Sequence, residues 1–147
     1  MNRGPISEAD RILVKRYLVT QMVLDAFERD KRHVQTFGLF KSPQLYTDLI
    51  DKAMDDAIKE LTRVRKAFRN RGIKVYDEHR TAKGAEAKYM CRGYHSDISM
   101  LWSFITAEAV ILMRLFLGLD IKNYIHASVP EEMREEPILF SRNDNMR

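Results

Sequence analysis

Six side chains between Asp77 and Asp97 have the types that do chemistry: Asp77, Glu78, His79, Cys91, His95 and Asp97. A Cys/His/carboxylate set can hold a metal ion, or can make a thiolate nucleophile through an adjacent base. Folding this segment back as a hairpin would bring Glu78 or His79 toward Cys91 or His95. The spacing gives that chemistry little support, because the chain has no CxxC pair and no HxxxH pair. The plainer reading is a solvated loop with one buried cysteine. A glycine-rich phosphate loop, GxGxxG, GxSxG and HExxH are also missing. No catalytic residue, metal or cofactor is therefore expected, and the chain does not read as an enzyme.

Charge is more informative. The net charge of +4 and pI near 9.2 are only mildly basic. From Arg63 to Arg92, however, ten Lys/Arg stand against three Asp/Glu, a local net of +7. Arg63, Lys66, Arg69, Arg71, Lys74, Arg80, Lys83, Lys88 and Arg92 are the candidate nucleic-acid contacts. Phe68, Tyr76, Tyr89 and Tyr94 are interleaved among them. Clustered cations release counterions from phosphates, and aromatic rings stack on unpaired bases. A ligand-free explanation competes for part of this pattern. Asp48, Asp51, Asp55, Asp56 and Glu60 precede the cations on one helix, which is the order that its dipole prefers. The loop cations escape that explanation.

The third feature is the apolar run from Ser96 to Gly118, which reads as one long helix with apolar residues almost all round. Glu108 interrupts it amid Leu101, Phe104, Ile105, Ile111, Leu112 and Leu115. Trp102 and Arg114 are its other notable residues. A carboxylate there implies a buried ion pair, or an acid of raised pKa. It also argues against a membrane span, since a charge at the bilayer centre costs ~2.5–3.5 kcal/mol or more. Self-association through this helix would cover its surplus apolar surface.

The elements that position these residues follow from periodicity and punctuation. A first helix over about 7–33 starts at Ser7 with Glu8 and Asp10 in its first turn. A second starts at Ser42-Pro43, repeats Tyr46, Ile50, Ala53, Ala57, Leu61, Val64 and Phe68 on one face, and stops at Gly72. Residues 72–95 form a short β-hairpin or an ordered loop, and the third helix follows. The expected fold is mainly α: a bundle of three long helices forming one domain over 1–127. A short helical piece near 119–125 and a polar, partly extended or disordered tail over 128–147 complete it. A single cysteine and a polar start without an apolar signal core point to the cytoplasm. The function expected first is a small regulatory or accessory protein of phage or mobile-element style, contacting nucleic acid. The alternative is a protein-interaction module, an adaptor or inhibitor, acting as a homo-oligomer.

Overall fold

Ser7 opens the first helix with a capping box. Its hydroxyl accepts from the Asp10 backbone N–H at 3.2 Å, and the Asp10 carboxylate accepts from the Ser7 N–H at 2.9 Å. The computed structural model describes residues 4–122. In it, helix α1 spans Glu8–Thr36 and α2 spans Pro43–Arg71, each of 29 residues and so about 43 Å long. Pro43 occupies the start of α2, where its missing N–H is no loss. Gly72 ends α2 with φ of 67°, the left-handed conformation that a side chain resists.

The two helices form an antiparallel hairpin. Val14, Leu18, Val19, Val23 and Phe27 of α1 are buried with Ala53, Ala57, Leu61, Val64 and Phe68 of α2. Alanine at 53 and 57 lets the backbones approach. Beyond Phe27, α1 has no buried residue up to its end.

Three antiparallel strands follow in the order β1-β2-β3: β1 Ile73–Arg80, β2 Gly84–Cys91 and β3 Tyr94–Leu101. The inner face carries Ile73, Val75, Ala85, Ala87, Tyr89, Cys91, Ile98 and Met100, all within the single core shared with the helices. The outer face carries Lys74, Asp77, His79, Glu86, Lys88, Met90, His95, Asp97 and Ser99. A bulge between Val75 and Asp77 leaves Tyr76 as an extra residue in β1. Gly84 is required by crowding, since a Cβ there would lie 1.8 Å from the Met100 carbonyl oxygen. Helix α3, Trp102–Phe116, follows β3 directly. Both N–H groups of Trp102 donate into the β1–β2 turn: backbone to the Lys83 carbonyl at 3.1 Å, indole to the Thr81 carbonyl at 3.0 Å.

The expectation of a mainly α bundle of three long helices with a short hairpin or loop is overturned. The chain is α+β, in the order α-α-β-β-β-α. The hairpin between helices 2 and 3 exists, but a third strand, Tyr94–Leu101, extends it and takes in residues 96–101, where the sequence pattern predicts helix. Ile98 and Met100 alternate with the outward Asp97 and Ser99, which is the period of a half-buried strand. Helix α3 therefore has 15 residues. The expected tail over 128–147 lies outside the described residues, as does the end of the piece expected near 119–125.

One ion pair crosses the hairpin inside the core. The Arg16 Nε lies 2.5 Å from Glu60 Oε2, both side chains being 1% exposed. Arg63 adds a two-pronged contact to Glu60, at 2.6 and 3.2 Å. Removing one member of such a pair strands a buried charge, whereas replacing both with apolar groups is often neutral. Arg16→Met is expected to cost about 3–5 kcal/mol. Arg16→Met combined with Glu60→Met is expected to recover most of that loss in denaturant unfolding. Strictly additive losses would show that the two side chains do not act as a pair.

Candidate functional site

Asp10 is fully buried at the N-terminus of α1, where its carboxylate accepts three hydrogen bonds. Arg92 Nη2 donates to it at 2.7 Å and Arg71 Nη1 at 3.1 Å, beside the backbone N–H of Ser7. Arg92 also donates to backbone carbonyls, from Nη1 to that of Arg71 at 2.6 Å and from Nε to that of Gly4 at 2.9 Å, so one guanidinium ties Asp10 to its surroundings. Burial alone would raise the Asp10 pKa. The hydrogen bonds from Arg92, Ser7 and Arg71 outweigh it and bring it down from 3.8 to about 2. Arg92 itself lies in the tight β2–β3 turn with φ of 52°, rare for a residue with a side chain. Its guanidinium contacts hold it there.

Two of the nine candidate nucleic-acid contacts, Arg71 and Arg92, are thus engaged by Asp10. Arg63 is held by Glu60, and Arg80 pairs with Asp25 of α1 at 3.2 Å. Lys66, Arg69, Lys74, Lys83 and Lys88 are exposed, with no side-chain hydrogen bond or ion pair among the described residues. They do not form one surface. Lys88 stands between Asp77 and Asp97 in the cross-strand row. Lys83 sits at the opposite end of the β1–β2 hairpin from Lys74, roughly 20 Å away along the strands.

Strand register also separates the Cys/His/carboxylate set. Cys91 pairs with Ile73 and is buried inward, whereas His79 pairs with Glu86 at the other end. Burial pushes the Cys91 thiol up, so it is no ready thiolate. His95 faces outward and shares a 3.1 Å hydrogen bond with Tyr76. His79 Nε2 lies 2.7 Å from Glu86 Oε2. Among the described residues no group of His, Cys, Asp and Glu is arranged to hold a metal ion.

A cleft of about 310 Å³ opens between the helical hairpin and the β1–β2 end of the sheet. Leu18, Met22 and Leu61 line its floor, with Arg65, Glu78 and His79 among its polar residues. Gln21 donates to Glu78 across it at 3.3 Å. No serine, cysteine or threonine lines this cleft, so the His79–Glu86 pair has no nucleophile to activate.

Glu108 is buried on α3, 5% exposed, as its apolar neighbours imply. Burial raises its carboxyl to about 7 from 4.5, against the opposing charges of Lys15 and Arg16. Its Oε2 has no hydrogen-bond partner among the described residues. Lys15 instead lies over the Phe104 ring, 5.5 Å from its centroid. Arg114 turns to the C-terminal end of α3, its Nε donating to the Asp120 carbonyl at 2.7 Å.

The surface that sequence reasoning missed is the far end of the helical hairpin. Phe37, Leu39, Phe40, Leu45, Tyr46 and Leu49 are all exposed there, Leu39 to 81%. Phe40 stacks on Tyr46 with ring centroids 5.2 Å apart. The available signal was three large apolar residues inside a turn-rich connection, TFGLFKSP. None of the large exposed apolar side chains lies within α3 among the described residues. No described helix is long and apolar enough to cross a membrane.

The chain belongs to the YhjD protein family, whose pattern it matches over residues 5–121. Nothing among curated proteins or solved structures matches it. The family match covers nearly all the described residues, and its description names no reaction.

Two stability measurements follow from the buried carboxyls. Asp10→Asn is expected to cost about 3–5 kcal/mol at neutral pH, because Arg71 and Arg92 lose their charge partner. Asp10 stabilises the fold above pH 3.8, and that contribution disappears as pH falls toward about 2. The difference from wild type should shrink over that window, and a loss below ~1 kcal/mol at neutral pH would exclude the role. Glu108 has the opposite sign. The folded state holds its proton more tightly, so its full contribution is present below pH 4.5 and declines as pH rises to about 7. Relative to Glu108→Gln, wild type should lose about 3 kcal/mol over that range, at ~1.4 kcal/mol per pH unit. Parallel Tm–pH curves for the two proteins would exclude a buried acid.

Proposed function

We propose that this chain is a non-enzymatic protein-interaction module, with the far end of the α1–α2 hairpin as its docking surface. One observation carries the reading: six large apolar side chains are exposed within residues 37–49. Scattered surface leucines need no explanation, but a cluster of aromatic and aliphatic residues marks an interaction site. The sheet, α3 and the inner half of the hairpin form a base that holds this end in place. No serine, cysteine or threonine lines the cleft above the sheet, and Glu78, His79 and Arg80 there are held by Gln21, Glu86 and Asp25, which favours binding over catalysis.

The nucleic-acid reading stands second. It retains Lys66, Arg69, Lys74, Lys83 and Lys88, while Arg63, Arg71, Arg80 and Arg92 have acidic partners within the fold. A phosphate backbone would meet a sheet face on which Asp77, Glu86 and Asp97 offset Lys74 and Lys88.

Light scattering of the full chain with mixed-sequence DNA or RNA at ~50 mM salt separates the two readings. The expected result is an unchanged mass. Binding that weakens steeply as salt rises, and that is lost on charge reversal at Lys83 and Lys88, would overturn the interaction-module reading.

A further inference from the structure

Beyond Phe27 the described residues give the hairpin two layers only. Residues 28–36 of α1 face the start of α2, with Thr47 buried there and Val34 and Ile50 half-buried. Helices bury an apolar stripe by packing against further elements, and among the described residues this end has none. The apolar residues Leu45 and Leu49 stand one turn apart on α2, so they share a face that the hairpin itself leaves open.

The two arms also carry opposite charge. Residues 28–41 hold four Lys/Arg against two Asp/Glu, a net of +2. Residues 43–56 hold four Asp against one Lys, a net of −3. The Lys31–Asp51 ion pair at 2.6 Å uses one charge of each arm, and Arg29, Lys41, Asp55 and Asp56 retain theirs without a side-chain partner among the described residues. A surface with a positive arm beside a negative arm is complementary to itself once turned by a two-fold axis.

We propose that the occupant of this end is a second copy of the chain. This rests on the interaction-module reading and names its partner. Two hairpins meet end-over-end, α1 of each against α2 of the other, and make a short four-helix layer. Phe37, Leu39, Phe40, Leu45, Tyr46 and Leu49 of both copies form its interior. Overlap of residues 28–36 with 43–52 spans about 14 Å of helix. The arms' charges flank it and set the antiparallel orientation, since the parallel arrangement opposes like charges.

Sedimentation equilibrium over a concentration series tests this. Wild-type protein is expected to show a monomer–dimer equilibrium. Leu39→Lys with Leu45→Lys should weaken it at least tenfold. Arg29→Glu with Lys41→Glu, and separately Asp48→Lys with Asp55→Lys, should each weaken self-association at least tenfold. An equimolar mixture of these two charge-reversed proteins should recover the dimer, because each then offers the other an opposite charge. All these positions are exposed, and circular dichroism checks that each variant keeps its helix content.

A wild-type chain that stays monomeric throughout overturns the second copy as occupant. So does a dimer that ignores every substitution, or a mixture that fails to reassociate. A monomer that also leaves nucleic acid unbound removes only this partner and leaves docking of another protein standing. Salt-sensitive nucleic-acid binding removes the interaction-module reading itself.

Discussion

A carboxylate shut away from water holds the two halves of this molecule together. Asp10 is buried, and such a group is costly unless its charge is matched and its oxygens are hydrogen-bonded. Here Arg71 brings the end of α2, Arg92 brings the β2–β3 turn, and Ser7 brings the start of α1. The sheet is thereby pinned to the open end of the helical hairpin. The same guanidinium reaches the carbonyls of Gly4, Pro5 and Arg71, which explains how an arginine is kept at a positive φ.

Among the described residues, that constraint goes with a packed end and a bare end. Near Asp10, three helices and the inner sheet face share one core, with the Arg16–Glu60 pair inside it and Glu108 close by. Ion pairs there fix which helix faces which, because a stranded partner is far costlier than a mismatched methyl group. At the other end the helices outrun their covering. Phe37 lies about 15 Å along the helix from Phe27, the last buried residue of α1, and the apolar residues around it stay at the surface.

Much of the helical hairpin was legible from local signals. Ser7, the Ser42-Pro43 pair and Gly72 mark ends whose cause is local backbone chemistry, and α1 and α2 begin and stop there. The buried state of Glu108 was legible as well, from the apolar residues around it on the helix. The third strand was not. Ile98 and Met100 run straight into the apolar face of α3, and over so few residues a strand and a helical turn give the same composition. The separation of Cys91 from His79 was hidden for a related reason: hairpin register is invisible until the strands are aligned, and the alignment puts them at opposite ends.

The basic run illustrates the boundary between the two kinds of information. Sequence alone established how many cations lie between Arg63 and Arg92, where the first two helices start, and that a carboxylate interrupts an apolar helix, since all of these depend on neighbours along the chain. Whether each cation faces solvent or an acid was decided by tertiary structure. Arg92 meets Asp10 across 82 positions and Arg80 meets Asp25 across 55. Coulomb attraction acts through space, and only the folded path of the chain determines which charges come within its reach.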